Sequence, residues 1–260
     1  MKADETNKKP AKHREERHVV IYGYTREDLQ KLMHHFEASL PDYINITFKT
    51  HGECTHVKLT GAAEGLELLR FNLNKYQRTL ADLFPEEVLA LEDVSISQML
   101  GDKLAENELT VASAESCTGG NIAHRIVENS GSSAYFLGSV VSYSNDIKAR
   151  VLGVNRSLIE KNGAVSRPVV EAMAKGVSTL MRSNCAMATS GIAGPHGGTA
   201  AKPVGTVWFA AKYNDTLVSE VRHFTGNRNQ IIEAATNHAM IMLLNLLRHS
   251  YTPPEYAGDE

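Results

Sequence analysis

The spacing of apolar side chains changes several times along the first third of the chain. HVVIYGY (18–24) is a short β-rich run. Thr25 then caps a helix, with Glu27 and Asp28 in its positive first turn. Leu29, Leu32, Met33 and Phe36 follow at helical spacing and predict one apolar face. Two strand-like runs come next, INITFKT (around 45–50) and THVKLTG (55–61), joined by HGEC as a hairpin turn. From Ala62 to Leu83 a second helical stripe carries Leu66, Leu69, Leu73 and Tyr76. The predicted order is β-α-β-β-α, a small α+β unit. Phe84-Pro85 ends it, because proline disfavours helix in the residue before it, and the segment to Asp93 reads as a linker.

Beyond Asp93 the pattern alternates between the two periods. Ser95 opens an amphipathic helix with Ile96, Met99, Leu100 and Leu104 on its core face. LTVASAE (109–115) is a strand, 118–128 a helix opened by Gly119-Gly120, 138–143 a strand and 145–152 a short helix. Ser166 caps the next helix, Pro168 sits in its first turn, and Val170, Met173, Val177 and Leu180 line its inner face. CAMATS (185–190) is a strand, 204–224 reads as two strands around Asn214-Asp215, and a long helix over 229–248 closes the region. Alternating strands and helices predict a three-layer α/β/α sandwich, and the late hairpin predicts a mixed sheet. The expected division is a tail at 1–17, a small α+β domain with its linker at 18–93, an α/β domain at 94–250 and a second tail at 251–260.

Composition narrows the partners. Residues 1–17 are almost devoid of apolar side chains and read as a disordered tail. A formal net charge of -3 gives the chain no overall pull toward nucleic acid or an anionic membrane. No apolar run is long enough to span a bilayer, and Met1 to Glu16 has no signal-peptide core. The three cysteines, Cys54, Cys117 and Cys185, are odd in number and far apart, which speaks against a disulfide framework or a zinc site. His34-His35 and His51/His56 read as solvent-facing rather than as metal ligands. The expected setting is the cytoplasm, with no metal and no cofactor.

Four segments put small or polar residues at strand ends, where open α/β sheets bind ligands. The first, Ala114-Glu115-Ser116-Cys117-Thr118-Gly119-Gly120, joins a strand to a helix. Its glycines and helix start suit an anion, so Thr118, Gly119, Gly120 and Glu115 are taken as substrate-binding positions. Hydrogen bonding of Glu115 to the loop backbone is the competing reading. The second segment runs from Gly131-Ser132-Ser133 through Ser142-Tyr143 to Lys148. The third, 190–198, holds Ser190, Gly191, His196 and three further glycines in a loop shaped for backbone contact. The fourth runs from Lys202-Pro203-Val204-Gly205 to Arg228, whose guanidinium precedes the last helix and suits a phosphate or carboxylate. Neither GxxxxGK[ST] nor GxGxxG is present.

AESCTGG, GSSAYF, VSYSNDIK, GAVSRPVV, TSGIAGPHGG, KPVGTVW and FTGNR, in this order, resemble the CinA C-terminal domain over about 150 residues. Residues 18–93 resemble the KH-like middle segment of CinA proteins. A counterpart of the molybdopterin-protein-like first domain of those proteins, linked to a pyrophosphatase activity, is not expected in this sequence. His196 departs from the family, where an acidic residue or glycine is common. The resemblance implies an amidohydrolase that converts nicotinamide mononucleotide (NMN) to nicotinate mononucleotide and ammonia. It implies Ser133 as nucleophile, Lys148 close by and Tyr143 beside them, with Ser190 and Arg228 also engaged. It further implies a homodimer.

An amide demands an activated nucleophile, and no histidine adjoins the serines of these motifs. A lysine serves as base when burial lowers its pKa, which makes Lys148 the candidate, with Tyr143 relaying the proton or orienting the amine. Backbone N–H groups near Ser133 are the expected oxyanion donors. Arg228 and the loops 118–120 and 191–198 are the expected phosphate donors. Cys117, at a helix start, is a rival nucleophile. The competing function is a nucleic-acid-binding adaptor acting through the KH-like unit with a degenerate deamidase domain. Gly61-Ala62-Ala63-Glu64-Gly65 has the wrong spacing for a GXXG clamp and contains an acid, so nucleic acid is not an expected partner.

Overall fold

The computed structural model describes residues 12–24, 26–51, 54–85 and 87–250. The chain divides into two compact units, Met1–Val94 and Ser95–Glu260. Thr25, Gly52, Glu53, Glu86 and the segments 1–11 and 251–260 lie outside the described residues, among them the helix cap read at Thr25 and the middle of the hairpin turn read at HGEC.

The first unit runs β1 (His13–Tyr22), α1 (Arg26–Ala38), β2 (Ile44–His51), β3 (Cys54–Ala63), α2 (Leu66–Asp82) and β4 (Val88–Ala90). Its strands form an antiparallel sheet in the order β2-β3-β1-β4. Alternation sends Val19, Ile21, Val57 and Leu59 to one face, against Leu29, Met33 and Phe36 of α1 and Leu69, Leu73 and Leu80 of α2. Each such side chain contributes about 1.5–3 kcal/mol on burial. Gly61 belongs to this packing, since a Cβ there would stand 2.6 Å from Leu69 Cδ1. Two expectations change. Residues 13–17, read as tail, are strand: they pair with 59–63 of β3, and Glu15 and Arg17 are tied to Arg70 and Asn74 of α2. The stretch read as linker carries β4, which pairs with β1.

The second unit runs α3 (Ile96–Glu106), β5 (Val111–Glu115), α4 (Asn121–Val127), a 3-10 turn (Ser132–Ala134) and β6 (Phe136–Val141). It continues with α5 (Asn145–Arg150), α6 (Arg156–Asn162), α7 (Arg167–Met181), β7 (Cys185–Gly191), β8 (Thr206–Tyr213), β9 (Thr216–His223) and α8 (Arg228–Ser250). The sheet order is β6-β5-β7-β8-β9; β5 is parallel to β6 and β7, while β8 and β9 are antiparallel. The sheet is therefore mixed, between α7 on one face and α4 and α8 on the other. Ser95 caps α3 through Gln98 N (3.1 Å). Ser166 occupies the cap position of α7, yet its hydroxyl donates to Gly163 O (2.8 Å) instead of accepting a helix N–H. The pattern did not announce α6, which is capped by Asn155 and buries Ile159.

Even-numbered positions of the central strands, Ala112, Ala114, Ala186 and Ala188, face Val170, Met173 and Val177 of α7. Small side chains on the sheet let the helix approach closely. Odd-numbered positions include Ser113, Glu115 and Thr189, all fully buried on the α4 side. The chain leaves β5 for β6 by way of α4 and reaches β7, on the other flank of β5, by way of α7. The carboxyl end of β5 is thus a topological switch point, where such sheets open a ligand crevice. Among the described residues no helix is long and apolar enough to cross a membrane.

Candidate active site

Ser116 follows the last residue of β5 and is buried. Its N–H donates to Thr189 O of β7 (3.1 Å), and its carbonyl accepts from Gly119 N (3.2 Å), which defines a tight turn. Opposite it, Ser144 caps α5 through Ile147 N (3.2 Å) and sets the short helix that carries Lys148. Lys148 is only 1% exposed. Its Nζ donates to Ser142 O (2.7 Å) and contacts Ser116 Oγ (3.0 Å). No carboxylate pairs with it among the described residues. Burial without a counter-ion disfavours the ammonium and lowers the pKa of Lys148 from its ordinary value. A neutral amine in hydrogen-bond reach of a hydroxyl is the arrangement that activates a serine.

Both groups line a cavity of about 290 Å³ that also includes Cys117, Tyr143, Asn145, Ser190, Gly191, His196 and Arg228. That is near the lower end of the range for small-ligand sites, roughly 300–1,000 Å³. A larger hollow of about 710 Å³ in the first unit is lined by residues such as Arg14, Glu15, Glu16 and Thr60; its carboxylates are tied to Arg17, Arg70, His18 and Lys58, and none is hydrogen-bonded to a hydroxyl among the described residues. Chemistry rather than size therefore selects the smaller one. Arg228, at the start of α8, donates to Gly194 O (2.7 Å) and to Tyr143 Oη (3.1 Å), clasping the 191–205 loop to the end of β6. Gly191 has no room for a side chain: a Cβ would lie 2.8 Å from Thr206 O and 2.7 Å from Val207 Cγ2.

Several expected site residues are placed differently. Ser133 and Lys148 do not meet. Ser133 is exposed in the 3-10 turn before β6, where Val111 N bonds Tyr135 O at the opposite end of β5. Five residues of strand, about 16 Å, separate that level from Ser116. The reason is directional: β5 and β6 are parallel, so a residue before β6 lies at the end away from a residue after β5. Backbone donors near Ser133 are equally remote from the lysine. Tyr143 is 63% exposed and its hydroxyl is engaged by Arg228; it lines the same cavity as Lys148 but makes no hydrogen bond to it among the described residues. The donors of the Thr118-Gly119-Gly120 turn already have an acceptor: Thr118 Oγ1, Gly120 N and Ile122 N all donate to Glu115 Oε2. They do not form an open phosphate cradle. Ser190 is buried and donates to Ala164 O (2.8 Å), joining β7 to the turn before α7. Cys117 is buried and its thiol is pushed up to about 12 by desolvation, so it stays protonated at neutral pH. Ser116, Ser142 and Asn145 join the site without having been among its expected residues. The signal for Ser116 was its place straight after a buried strand and before a glycine-rich helix start, the setting of a nucleophile elbow.

Comparison with known proteins gives the family of the second unit. The CinA C-terminal domain model matches residues 93–247. The CinA-like protein of Mycolicibacterium gilvum (strain PYR-GCK) is 44% identical over 238 residues, covering 88% of this chain and 54% of that protein. The CinA-like protein of Mycobacterium tuberculosis (strain ATCC 25177 / H37Ra) is 36% identical, covering 88% of this chain and 53% of that protein. The chain thus spans about half the length of the curated relatives it matches. Among solved structures, the competence/damage inducible protein CihA from Agrobacterium tumefaciens is 38% identical with a TM-score of 0.56, over 59% of this chain and 96% of that one. A CinA superfamily protein from Klebsiella pneumoniae 700603 is 33% identical with a TM-score of 0.58, over 59% of this chain and 96% of that one.

Proposed function

Because the chain belongs to the CinA C-terminal domain family, we propose that it hydrolyses the carboxamide of NMN to nicotinate mononucleotide and ammonia, with Ser116 as nucleophile and Lys148 as base. The supporting observation is the 3.0 Å contact between the buried, uncompensated Lys148 amine and Ser116 Oγ at the wall of the cavity.

The chemistry follows from that contact. Ser142 O fixes one N–H of the neutral amine, which leaves its lone pair toward Ser116. Lys148 takes the hydroxyl proton as Ser116 Oγ attacks the carboxamide carbon. The proton then passes to the amide nitrogen, the C–N bond breaks, ammonia departs, and the nicotinoyl group is left as an ester on Ser116. Lys148 next deprotonates water, which attacks the ester and releases the acid and free Ser116. The ammonium formed transiently at Lys148 is stabilised by Ser142 O. Arg228, with His196 and Asn145 lining the same cavity, suits the substrate's phosphate, where a planar guanidinium binds bidentately. No observation favours the nucleic-acid reading: Gly61 is buried in sheet packing and Gly65 caps α2, so no GXXG loop joins two helices there.

Ammonia release from NMN, nicotinamide, NAD and glutamine tests the assignment. The expected result is turnover of NMN without added metal, and at least about a 10⁴-fold loss in Ser116→Ala with an unchanged circular dichroism spectrum. A folded Ser116→Ala protein that keeps its activity ends the assignment.

A further inference from the structure

The most heavily hydrogen-bonded charged side chain of the second unit is Glu115, which adjoins Ser116 and is fully buried. Six donors converge on its carboxylate. Oε1 accepts from Ser113 Oγ (3.2 Å), Ser139 Oγ (3.2 Å) and Ala123 N (3.0 Å). Oε2 accepts from Thr118 Oγ1 (2.8 Å), Gly120 N (2.9 Å) and Ile122 N (3.1 Å). These donors come from β5, from β6, from the turn after Ser116 and from the first residues of α4. Three of them are backbone N–H groups, which can only donate. No cation faces the group among the described residues, so neutral dipoles alone hold it.

The main chain of the same residue acts on the other side of the site. Glu115 O accepts from Ser142 N (2.8 Å), and Ser142 O accepts from Lys148 Nζ (2.7 Å). Lys148 Nζ contacts Ser116 Oγ, and Ser116 is covalently joined to Glu115. The ring closes on itself. The side chain of Glu115 therefore sets the turn that aims the serine, while its carbonyl sets the residue that aims the lysine.

We propose that Glu115 is the positioning residue of this site: its carboxylate acts as an internal anion that locks the 116–120 turn with Ser116 facing Lys148. It also occupies Thr118 Oγ1, Gly120 N, Ile122 N and Ala123 N, so that these donors are not offered to the substrate's phosphate. The proposal rests on the assignment of Ser116 as nucleophile. It goes beyond that assignment by giving a buried carboxylate a role in rate without contact with the substrate.

Glu115→Gln is the test, because it keeps the shape but turns an amide NH2 toward backbone donors. Three quantities are read: kcat and KM for NMN, the rate at which a fluorophosphonate labels Ser116, located by mass spectrometry, and the thermal melt. The expected result is a fall of about 100-fold in both kcat and labelling rate, since small misplacements of a nucleophile have effects of that size, with KM changed less than about threefold. Thr118→Val and Thr118→Ser form a second pair should the glutamine variant not fold. The valine removes one donor and lowers the labelling rate about tenfold; the serine restores the donor and most of the rate. A folded Glu115→Gln protein with kcat and labelling within threefold of the parent overturns the proposal, as does a Thr118→Val protein labelled at the parental rate. Labelling needs no NMN. A parent protein labelled at Ser116 but inert toward NMN therefore removes only the substrate assignment, whereas a parent active on NMN and never labelled at Ser116 removes the nucleophile and this proposal together.

Discussion

Ser116 stands between two buried ionisable groups that the fold treats in opposite ways. On the α4 side the Glu115 carboxylate receives six hydrogen bonds. On the α5 side the Lys148 amine has a backbone carbonyl and the Ser116 hydroxyl, and no anion among the described residues. The first environment supplies what a charge requires in a low dielectric, and so it confers rigidity. The second withholds it, and so it favours the uncharged, basic form of the amine. Buried ionisable groups that lack compensation cluster at sites of reaction, while well-satisfied ones hold structure in place.

The largest effect that bears on this contrast is expected from Lys148→Met. Methionine fills a similar volume and needs neither solvent nor proton. Removing the base should lower kcat by about 10³-fold or more. The melting temperature at neutral pH should be unchanged or higher, because a group held without its charge partner is replaced by one that needs none. The parent protein supplies a companion test. If the neutral amine is the active form, kcat/KM climbs with pH and levels off above the folded pKa of Lys148, which burial places below the ordinary 10.5 of a lysine. The sign for stability follows from the same shift. Between the folded and the unfolded pKa the unfolded chain holds more protons, so stability rises with pH across that interval, and Lys148→Met removes this component. An activity limb at or above the ordinary lysine value, or a melting temperature that drops sharply in the methionine variant, would show that Lys148 is a compensated structural charge like Glu115.

Arg228→Ala should act on binding instead. Its guanidinium is exposed and lines the cavity, bonded to Gly194 O and Tyr143 Oη and not to Ser116 or Lys148, so KM for NMN should rise about tenfold with kcat within about threefold. Arg228→Lys should recover only part of the loss, because an ammonium lacks the planar fork. A fall in kcat with KM unchanged would instead assign Arg228 to holding the 191–205 loop through Gly194 O.

Much of this was legible before any coordinates. Period-two and period-3.6 runs located β5, β7, α7 and α8 to within a few residues, and Asn214-Asp215 between two strand runs required an antiparallel hairpin and hence a mixed sheet. Lys148, Gly191 and Arg228 were candidates and do line one cavity. What stayed hidden was tertiary. Five of the six donors to Glu115 lie between Ser113 and Ala123, where hydrogen bonding to the loop backbone is a legible reading, but Ser139 of β6 joins them only through the fold. The β1 start at His13 depends on a partner strand some fifty residues away, which a polar run such as HREER does not announce.

The smallest expected effect concerns the serine that the motif pattern favoured, and it probes the two ends of β5 directly. Ser116 and Ser133 both sit in short turns flanked by glycine, and both adjoin a strand of the parallel pair β5 and β6. One follows its strand and the other precedes it. In a parallel pair that difference alone sends them to opposite edges, and ligands in such sheets bind beyond the carboxyl ends. Ser133 is exposed, its neighbours Asn129 and Gly131 bond within the turn, and no contact links it to the cavity. Ser133→Ala should therefore leave kcat and KM for NMN within about twofold and the stability within about 0.5 kcal/mol, as for an ordinary surface substitution. A folded Ser133→Ala protein without activity would mean that the reacting edge of the sheet is the amino end of β6, and the contrast drawn between Glu115 and Lys148 would lose its bearing on catalysis.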